Sequence, residues 1–478
     1  MAGRAAAYFE REGIPSMVMT REGFPQVVGN AFAGLGFSAE GPSVYEFAHA
    51  VFEPLSDLTP VNENIDKIVY GLTKWEPKIR EKGVVTPPKI TATGKDYEEA
   101  VANMNNLFLR NMCTDGLAIW PATEERVSWI LTGTDLPRDE VVGKIEARGG
   151  IGTIETLAVA LAMAGGRPEY FPALIAIVEA MVHPDFQLKN MNATGNTVYP
   201  VAAVNGPITK QIRLGSGTAC LGPDPSRAAG GSIGRAVRLV LMNVGGAVPG
   251  SGTMSQWGGA PRYASVIFAE DEDGLPEGWE PLSVERGFAP GSNVVTTYPV
   301  NAQILCGGFD KYKLIAEKAT ERELLEAEVR NFAEFLRLPA WSYFMTNYHP
   351  KGSPGIFLTN RLVARRMAAE GWTKADLRKM LWEGSKLPDT PGLRFFLEKG
   401  GTFSTIEPEW VQYPTPICVS PDNIMIAVCG GPNFTQGYWM PVGVSPYAPT
   451  SAEIKLPTNW DELLKQAEED LGPIPSWV

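Results

Sequence analysis

The stretch ARGGIGTIETLAVALAMAGG, residues 147–166, runs a cluster of glycines directly into an apolar helix. Glycine lets the backbone approach a ligand closely, and the first N–H groups of a helix, together with the helix dipole, hold negative charge. The stretch GGSIGRAV, residues 230–237, has the same form. Neither stretch contains the Gly-Lys-Ser/Thr of a phosphate loop, and neither lies in a clear βαβ nucleotide fingerprint. The two stretches have two possible interpretations. Their glycines form a binding site for a small carboxylate, or they only allow helices to pack closely.

These two helix starts supply the first candidate binding residues. We expect them to line one pocket, in which an arginine and the helix N–H groups bind a small carboxylate. The predicted substrate-binding residues here are Arg148, Gly149, Gly150, Gly152, Thr153, Ser232 and Arg235. Glu155 is a candidate acid/base group in the first helix. Thr153 and Glu155 equally suit the ordinary start of a helix, which is the alternative interpretation.

A polar, glycine-rich segment joins the two helix starts. It contains Asn190, Asn192 and Asn205, whose amides can orient a substrate or stabilise developing negative charge, although such residues also serve ordinary turns. Cys220 is the candidate nucleophile, because it lies among glycines shortly before a helix whose N-terminus lowers the pKa of a nearby thiol. We expect this thiol to be solvent-accessible and acidic. The alternative is that Cys220 is a small buried hydrophobic side chain.

Composition limits the class of protein. The 478 residues are 44% hydrophobic, enough for a large core, and their net charge of -12 repels nucleic acid. The five scattered cysteines form no Cys-x-x-Cys pair, and there is no signal peptide or membrane-length apolar run, so we expect a reduced, cytoplasmic protein without a membrane partner. The three histidines lie far apart in sequence and give no basis for a metal site, and no cofactor is indicated.

Helices that alternate with short apolar strands predict α/β or α+β layers, of which we take the α/β class, and there is no tandem repeat. Residues 81–95 are rich in proline, glycine and threonine, as is typical of a linker. We therefore expect a small, incomplete Rossmann-like α/β domain over residues 1–90 and a large mixed α/β domain over residues 91–478. The predicted helices are 2–12, 21–36, 64–75, 96–112, 123–134, 135–145, 149–166, 168–182, 228–246, 321–338, 359–372 and 373–384, and the predicted strands are 13–20, 262–270 and 423–433.

Two stretches of the first domain, EREGIPSMVMTREGFPQVVGNAFAGLGF (10–37) and NENIDKIVYGLTKW (62–75), resemble the UGSC-like family. Members of that family carry a Sec/Cys-Gly-Ser-Cys motif and are related to the selenoprotein B component of glycine, sarcosine and betaine reductases. Residues 149–172, 205–208 and 234–246 resemble a larger domain found in some of those proteins. The resemblance implies thiol-based nucleophilic or reductive chemistry.

The chain departs from that family at the motif itself. In the family the motif follows a first strand and opens the helix that leads into the sequence around Gly13, and this sequence contains no such motif. Either the activity that depends on the motif is lost, or a small companion polypeptide supplies the strand and the motif. The second alternative predicts a hetero-oligomer in which the companion adds a strand beside PSMVMT, residues 15–20. The competing interpretation is self-association through the same edge, or a strand supplied by the C-terminal portion of the chain.

The sequence thus predicts the large subunit of a multi-subunit enzyme that acts on a small polar or anionic metabolite by thiol-dependent nucleophilic or reductive chemistry. Cys220 and Glu155 are its predicted catalytic residues. Two alternatives stay open. One is a non-catalytic subunit that positions the substrate, and the other is a lyase or hydratase that uses carboxylates such as Glu155 and Glu285 as acid and base.

Overall fold

The structure is a computed structural model. It describes residues 2–473 apart from 26–27, 30–31, 33–36, 38–42, 54–55, 77–89, 147, 251, 340–347, 400–405, 433–434 and 444–447. The predicted linker and the predicted domain boundary near residue 90 lie largely outside the described residues.

A two-stranded parallel sheet with helices forms the N-terminal part. Its elements are α1 (Ala2–Arg11), β1 (Val18–Arg21), β2 (Val44–Phe47), α2 (Thr59–Asn62) and α3 (Ile65–Thr73). The predicted helices at 2–12 and 64–75 are confirmed, and the predicted strand begins later, at Val18, which lies opposite Val44. Much of the predicted helix 21–36 lies outside the described residues. Two strands do not identify a Rossmann-like sheet, which stays a prediction.

The rest of the chain forms ten strands among the described residues. They are β3 (Val141–Ile145), β4 (Gly150–Thr153), β5 (Tyr199–Asn205), β6 (Val266–Ala269), β7 (Val294–Val300), β8 (Ile304–Cys306), β9 (Gly355–Thr359), β10 (Met425–Val428), β11 (Gly437–Pro441) and β12 (Thr450–Glu453). β3 and β4 pair as a hairpin, and the others form two four-stranded sheets. The first sheet has the order β12-β7-β5-β6, and the second has the order β10-β9-β11-β8.

Helices cover these sheets. They are α4 (Tyr97–Arg110), α5 (Glu124–Leu131), α6 (Ile154–Met163), α7 (Phe171–Val182), α8 (Leu188–Ala193), α9 (Ile208–Gln211), α10 (Ala229–Asn243), α11 (Leu282–Glu285), α12 (Asp310–Ala316), α13 (Glu321–Arg337), α14 (Arg361–Ala369), α15 (Lys374–Gly384), α16 (Pro391–Lys399) and α17 (Trp460–Leu471). The combination of helices with mixed sheets confirms the predicted α/β class.

The two sheets repeat one topology, which the sequence did not reveal. In the first sheet β5 pairs in parallel with β6 after the crossover helix α10, and β7 pairs antiparallel with β5. In the second sheet β9, β10 and β11 have the same arrangement, with α14 and α15 in the crossover. The edge strands are exchanged, because β8 follows β7 but pairs with β11, and β12 follows β11 but pairs with β7. An antiparallel bridge between Val300 and Val442 joins the two sheets.

Alternation along the strands produces four layers, because successive side chains of a strand point to opposite faces. On β5, Val204 packs into a core with α6, α7 and α10, whereas Val201 packs into a second core with Ile356 of β9. On β9, Phe357 packs into a third core with α13, α14 and α15. The layers are therefore helices, first sheet, second sheet and helices.

The predicted helix 135–145 is wrong, because Val141–Ile145 is the strand β3. Pro137 starts a turn closed by the N–H of Glu140, which donates to the Pro137 carbonyl (3.1 Å). The residues that follow pair with β4, with Val141 opposite Thr153 and Ile145 opposite Gly150. Valines at the start of this strand suit a pleated strand, and the hairpin partner overrides the helix-start signal of the proline.

Candidate functional site

The carboxyl ends of the parallel strands in the two sheets meet. The N–H of Asp271, just after β6, donates to the carbonyl of Val428 at the end of β10 (2.7 Å). The N–H of Gly430 donates to the carbonyl of Ser216, in the segment between β5 and α10 (2.7 Å). Ligands of open α/β sheets bind at the carboxyl ends of the strands. This meeting point is therefore where a site is expected.

A cavity of about 690 Å³ lies beside this meeting point, along the edge strand β6, and its volume is within the range of ligand pockets. It lies between the first turn of α10, the loop 219–225 and the segment that leads into β6. Its lining is largely small and apolar. The polar side chains among the lining residues are those of Cys220, Asp224, Arg227, Ser232, Arg235, Ser265 and Gln303.

Two cysteine thiols meet at the inner side of this cavity. Cys220 lines the cavity but is buried, at 9% exposed, so the expectation of a solvent-accessible thiol is wrong. Cys429, directly after β10, is 4% exposed and belongs to the same buried cluster. The neighbouring Cys429 thiol is the main cause that lowers the pKa of Cys220. The N–H groups of Cys220 and Leu221 and the charge of Arg227 lower this pKa further, and burial opposes them.

The partner thiol has the opposite character. The neighbouring Cys220 thiol, burial and the nearby carboxylates of Glu270 and Asp271 raise the pKa of Cys429 well above the usual value. Of the two thiols, Cys220 is therefore the one that loses its proton first, and Cys429 is the one that keeps it. This arrangement is what a nucleophilic thiolate requires.

The loop that carries Cys220 is held between the ends of two strands. The N–H of Ala269 in β6 donates to the carbonyl of Gly215 (2.9 Å), and the neighbouring Ser216 carbonyl accepts from Gly430. Gly431 approaches Thr218 so closely that an added Cβ would lie 2.9 Å from the Thr218 hydroxyl oxygen. These contacts hold the Cys220 loop against the segment that carries Cys429.

Positive groups surround the mouth of the cavity. The first hydrogen bond within α10 runs from the N–H of Ser232 to the carbonyl of Ala228 (3.0 Å), so the three N–H groups before Ser232 have no acceptor inside the helix. Ala228, the N-cap residue, has no side chain that caps them. The guanidinium of Arg227 lies beside this first turn and 3.6 Å from the Asp224 carboxylate. Together they favour a carboxylate or another small anion.

A buried carboxylate fixes the position of these strand ends. Glu270 accepts hydrogen bonds from the amide of Asn205 (2.8 Å), the N–H of Leu282 (2.6 Å) and the N–H of Val428 (3.2 Å). Its side chain is fully buried, and the ammonium of Lys374 lies 3.5 Å away. The predicted binding residue Asn205 thus belongs to a structural network behind the cavity.

The second predicted helix start does line the cavity, through Gly231, Ser232 and Arg235. Arg235, however, forms a paired contact with the buried carboxylate of Asp115 (2.9 and 3.0 Å) and donates to the carbonyl of Ala118 (2.8 Å). Its charge is therefore already compensated. Arg227, which the sequence analysis did not single out, lies closer to the thiol.

The prediction that both helix starts share one pocket is wrong. Gly150 belongs to the strand β4 and packs against the carbonyl of Val244, at the C-terminal end of α10, where a Cβ would overlap that oxygen. Gly231 lies at the other end of the same helix, roughly 20 Å away for thirteen residues of α-helix. The glycines of this first cluster form a hairpin strand that packs closely on a helix end and are not an anion-binding loop.

The remaining predicted residues near that hairpin make local contacts outside the cavity lining. The N–H of Arg148 donates to the carbonyl of Gly245 (2.7 Å), and Gly149 and Gly152 lie in the hairpin. Thr153 caps α6 by accepting from the N–H of Thr156 (3.3 Å). These contacts agree with the alternative interpretation of the cluster.

The other candidates also make structural contacts. Glu155 pairs with Arg138 (2.6 Å) near the protein surface. The Asn190 amide donates to Gln187 (3.3 Å), and the Asn192 amide donates to a backbone carbonyl of the β-hairpin. These residues are not brought to Cys220.

In the described part of the chain, no group of three or more His, Cys, Asp or Glu side chains is placed to hold a metal ion. None of the described helices has both the length and the apolar character needed to cross a bilayer. Comparison with protein-family models, with curated proteins and with solved structures gives no match.

Proposed function

We propose that this protein is the large subunit of an enzyme that uses the Cys220 thiolate as a nucleophile on a small anionic metabolite. The observation that carries the proposal is the position of Cys220, which lines a ligand-sized cavity and has a second thiol, that of Cys429, in the same buried cluster. A buried cysteine without chemistry needs neither a cavity nor a polar partner. In the proposed step Cys220 Sγ bonds to an electrophilic atom, and the leaving group departs with the electron pair of the broken bond.

The preference for an anion is supported by the groups at the cavity mouth. The uncapped first turn of α10 and the guanidinium of Arg227 favour a carboxylate beside the thiol. The Asp224 carboxylate near Arg227 limits how much negative charge the cavity accepts. A monoanion or a small dianion fits these charges better than a polyphosphate.

The lyase alternative has less support. Glu285 is bound by Arg378 (2.6 Å) and Lys374 (3.4 Å), and Glu155 is bound by Arg138 (2.6 Å). Each carboxylate is thus bound by cations of its own, and neither lines the cavity. A general acid or base needs a proton that it can exchange with a substrate.

The companion polypeptide and the cellular compartment are parts of the same proposal. Val18 and Glu22 donate their backbone N–H groups toward β2. Because neighbouring residues of a strand direct their backbone groups to opposite edges, the N–H and C=O groups of Met19 face the other edge of β1, where no described residue pairs with them. A strand from a companion chain along this edge would supply hydrogen-bond partners for these groups. All five cysteines are free thiols, which supports a reducing compartment such as the cytoplasm.

Thiol labelling tests the proposal directly. The rate of iodoacetamide modification is measured against pH, with peptide mapping of the modified residue, for the parent and for Cys220→Ser. We expect Cys220 to react fastest, with a midpoint below the usual cysteine value of about 8.5. Cys113→Ser, a change at a cysteine outside the cavity lining, is the matched control and keeps the parent profile. Equal labelling of the parent and Cys220→Ser at all pH values would remove Cys220 from the chemistry.

A further inference from the structure

We propose that Cys429 is a second catalytic thiol, and that Cys220 and Cys429 together reduce a small anionic disulfide and close to a disulfide with each other. This inference rests on the proposed function, because it uses Cys220 as the attacking nucleophile. It adds the residue that completes the reaction and the chemical class of the substrate.

The position of the two thiols supports this pairing. They come from distant parts of the sequence, yet both lie in one buried cluster. The hydrogen bond from Gly430 to Ser216 and the close approach of Gly431 to Thr218 hold their two segments together on both sides of the thiols. A disulfide needs two such sulfur atoms held at short range.

The two thiols differ in their exposure to the cavity, and this difference sets the order in which they react. Cys220 lines the cavity, whereas Cys429 lies behind it and is not among the lining residues. A substrate disulfide in the cavity therefore meets Cys220 first. Cys429 is placed to attack the product of that first step, since it lies behind Cys220 in the same buried cluster.

The electrons and protons balance without a further reactant. In the first step the Cys220 thiolate attacks one sulfur of the substrate, R–S–S–R′, and expels R′S⁻ to leave a mixed disulfide on Cys220. In the second step Cys429 loses its proton to the expelled thiolate, attacks Cys220 Sγ and expels RS⁻. The substrate gains two electrons and, with one proton from solvent, becomes two thiols, while the protein holds the Cys220–Cys429 disulfide.

Formation of the mixed disulfide on Cys220 removes one cause that raises the pKa of Cys429, as the second step requires. In the resting protein, the contact with Cys220 is the first cause that raises the pKa of Cys429. Once Cys220 carries the mixed disulfide, its negative charge is gone and this cause disappears. Burial and the carboxylates of Glu270 and Asp271 still oppose ionisation of Cys429, so the second step is expected to accelerate as pH rises.

The experiment compares two symmetrical disulfides of similar length and opposite charge. The fully reduced protein is mixed under nitrogen with 3,3′-dithiodipropionate, a dianion, or with cystamine, a dication. Released thiol is measured, and samples quenched in acid are analysed by intact mass and by peptide mapping. We expect two equivalents of thiol and a Cys220–Cys429 cross-link, formed at least about tenfold faster with the dianion.

Variants separate the two steps. Cys429→Ser is expected to release one equivalent and to keep a stable mixed disulfide on Cys220, and Cys220→Ser is expected to release none. Cys113→Ser is the control that behaves as the parent.

The outcomes distinguish this inference from the function on which it rests. A parent protein that stops at the mixed disulfide on Cys220, as Cys429→Ser does, would overturn the role of Cys429 and leave the Cys220 nucleophile intact. A parent in which Cys220 neither reacts with the disulfides nor shows acidic labelling would overturn both. A faster reaction with cystamine would contradict the anionic substrate class.

Discussion

The carboxylate of Glu270, at the end of β6, accepts a hydrogen bond from the N–H of Val428, at the end of β10 (3.2 Å). This hydrogen bond is one of the links between the two sheets, and it lies one residue before Cys429. The Asp271 N–H closes the same link from the other direction by donating to the Val428 carbonyl (2.7 Å). The position of the second thiol therefore depends on a buried charge in the other sheet.

Glu270→Gln tests this link. The substitution keeps the shape of the side chain, but it leaves the buried ammonium of Lys374 without its charge partner on this residue and removes one acceptor for backbone N–H groups. We expect a loss of about 3 kcal/mol in the free energy of unfolding, measured in urea. Glu383→Gln, at an exposed pair with Lys386, is the control and changes stability by less than about 1 kcal/mol. Equal effects of the two changes would contradict the structural role of Glu270.

Gly234→Ala tests the packing of α10 beside the cavity. A Cβ at Gly234 would overlap the carbonyl of Ser265, so the helix cannot keep its distance from β6. We expect a loss of about 1–3 kcal/mol in thermal or urea unfolding. Gly231→Ala in the same helix meets no atom within 4 Å and is expected to be neutral or stabilising by up to about 1 kcal/mol. A Gly234→Ala protein as stable as Gly231→Ala would show that the helix does not pack as described.

Arg235→Met tests the pH dependence of the Asp115 contact. Burial acts to raise the pKa of Asp115, but the bonds from Arg235 and from the N–H of Leu117 outweigh it and lower the pKa. A carboxyl with a lowered folded-state pKa adds stability above its unfolded pKa of about 3.9, and that stability is lost as pH falls through the folded value. Without Arg235, the largest of the causes that lower this pKa is lost. We therefore expect the variant to be destabilised near neutral pH and the difference from the parent to shrink on acidification, as measured by urea unfolding at several pH values. A difference that is independent of pH would contradict this.

Two substitutions at Cys429 test the cause of the Cys220 acidity. Cys429→Ala removes the neighbouring thiol, so the pKa of Cys220 is expected to rise and the iodoacetamide profile to move to higher pH. Cys429→Ser keeps a donor and is expected to retain most of the shift. Identical profiles for Cys429→Ala and the parent would mean that Cys429 does not stabilise the thiolate.

The sequence predicted the elements whose signals are local. Thr153 is followed by an apolar helix and caps it, and the period of the apolar residues in 321–338 and 373–384 predicts α13 and α15. The pattern failed where a distant partner decides the structure. The strand Val141–Ile145 forms because β4 returns beside it, and this pairing overrides the helix-start signal of Pro137.

The candidate site was predicted only in part, for the same reason. Cys220 was found because glycines and a following helix surround it in the sequence. Cys429 carries no local sign of chemistry, since its contact with Cys220 depends on how two sheets pack. The two glycine clusters have similar sequences, but one lies in a strand at the far end of α10 and the other opens that helix. Similar local patterns therefore have different roles in the fold.

The most direct test of the central claim compares iodoacetate, an anion, with neutral iodoacetamide at Cys220. The ratio of their rates is measured for the parent, for Arg227→Gln and for Asp224→Asn, each relative to the ratio for a free thiol in the same buffer. If Cys220 is a nucleophile in an anion-binding cavity, the parent favours iodoacetate, Arg227→Gln lowers the ratio and Asp224→Asn raises it, because these two charges lie beside the thiol with opposite sign. A ratio equal to that of the free thiol in all three proteins would contradict the account.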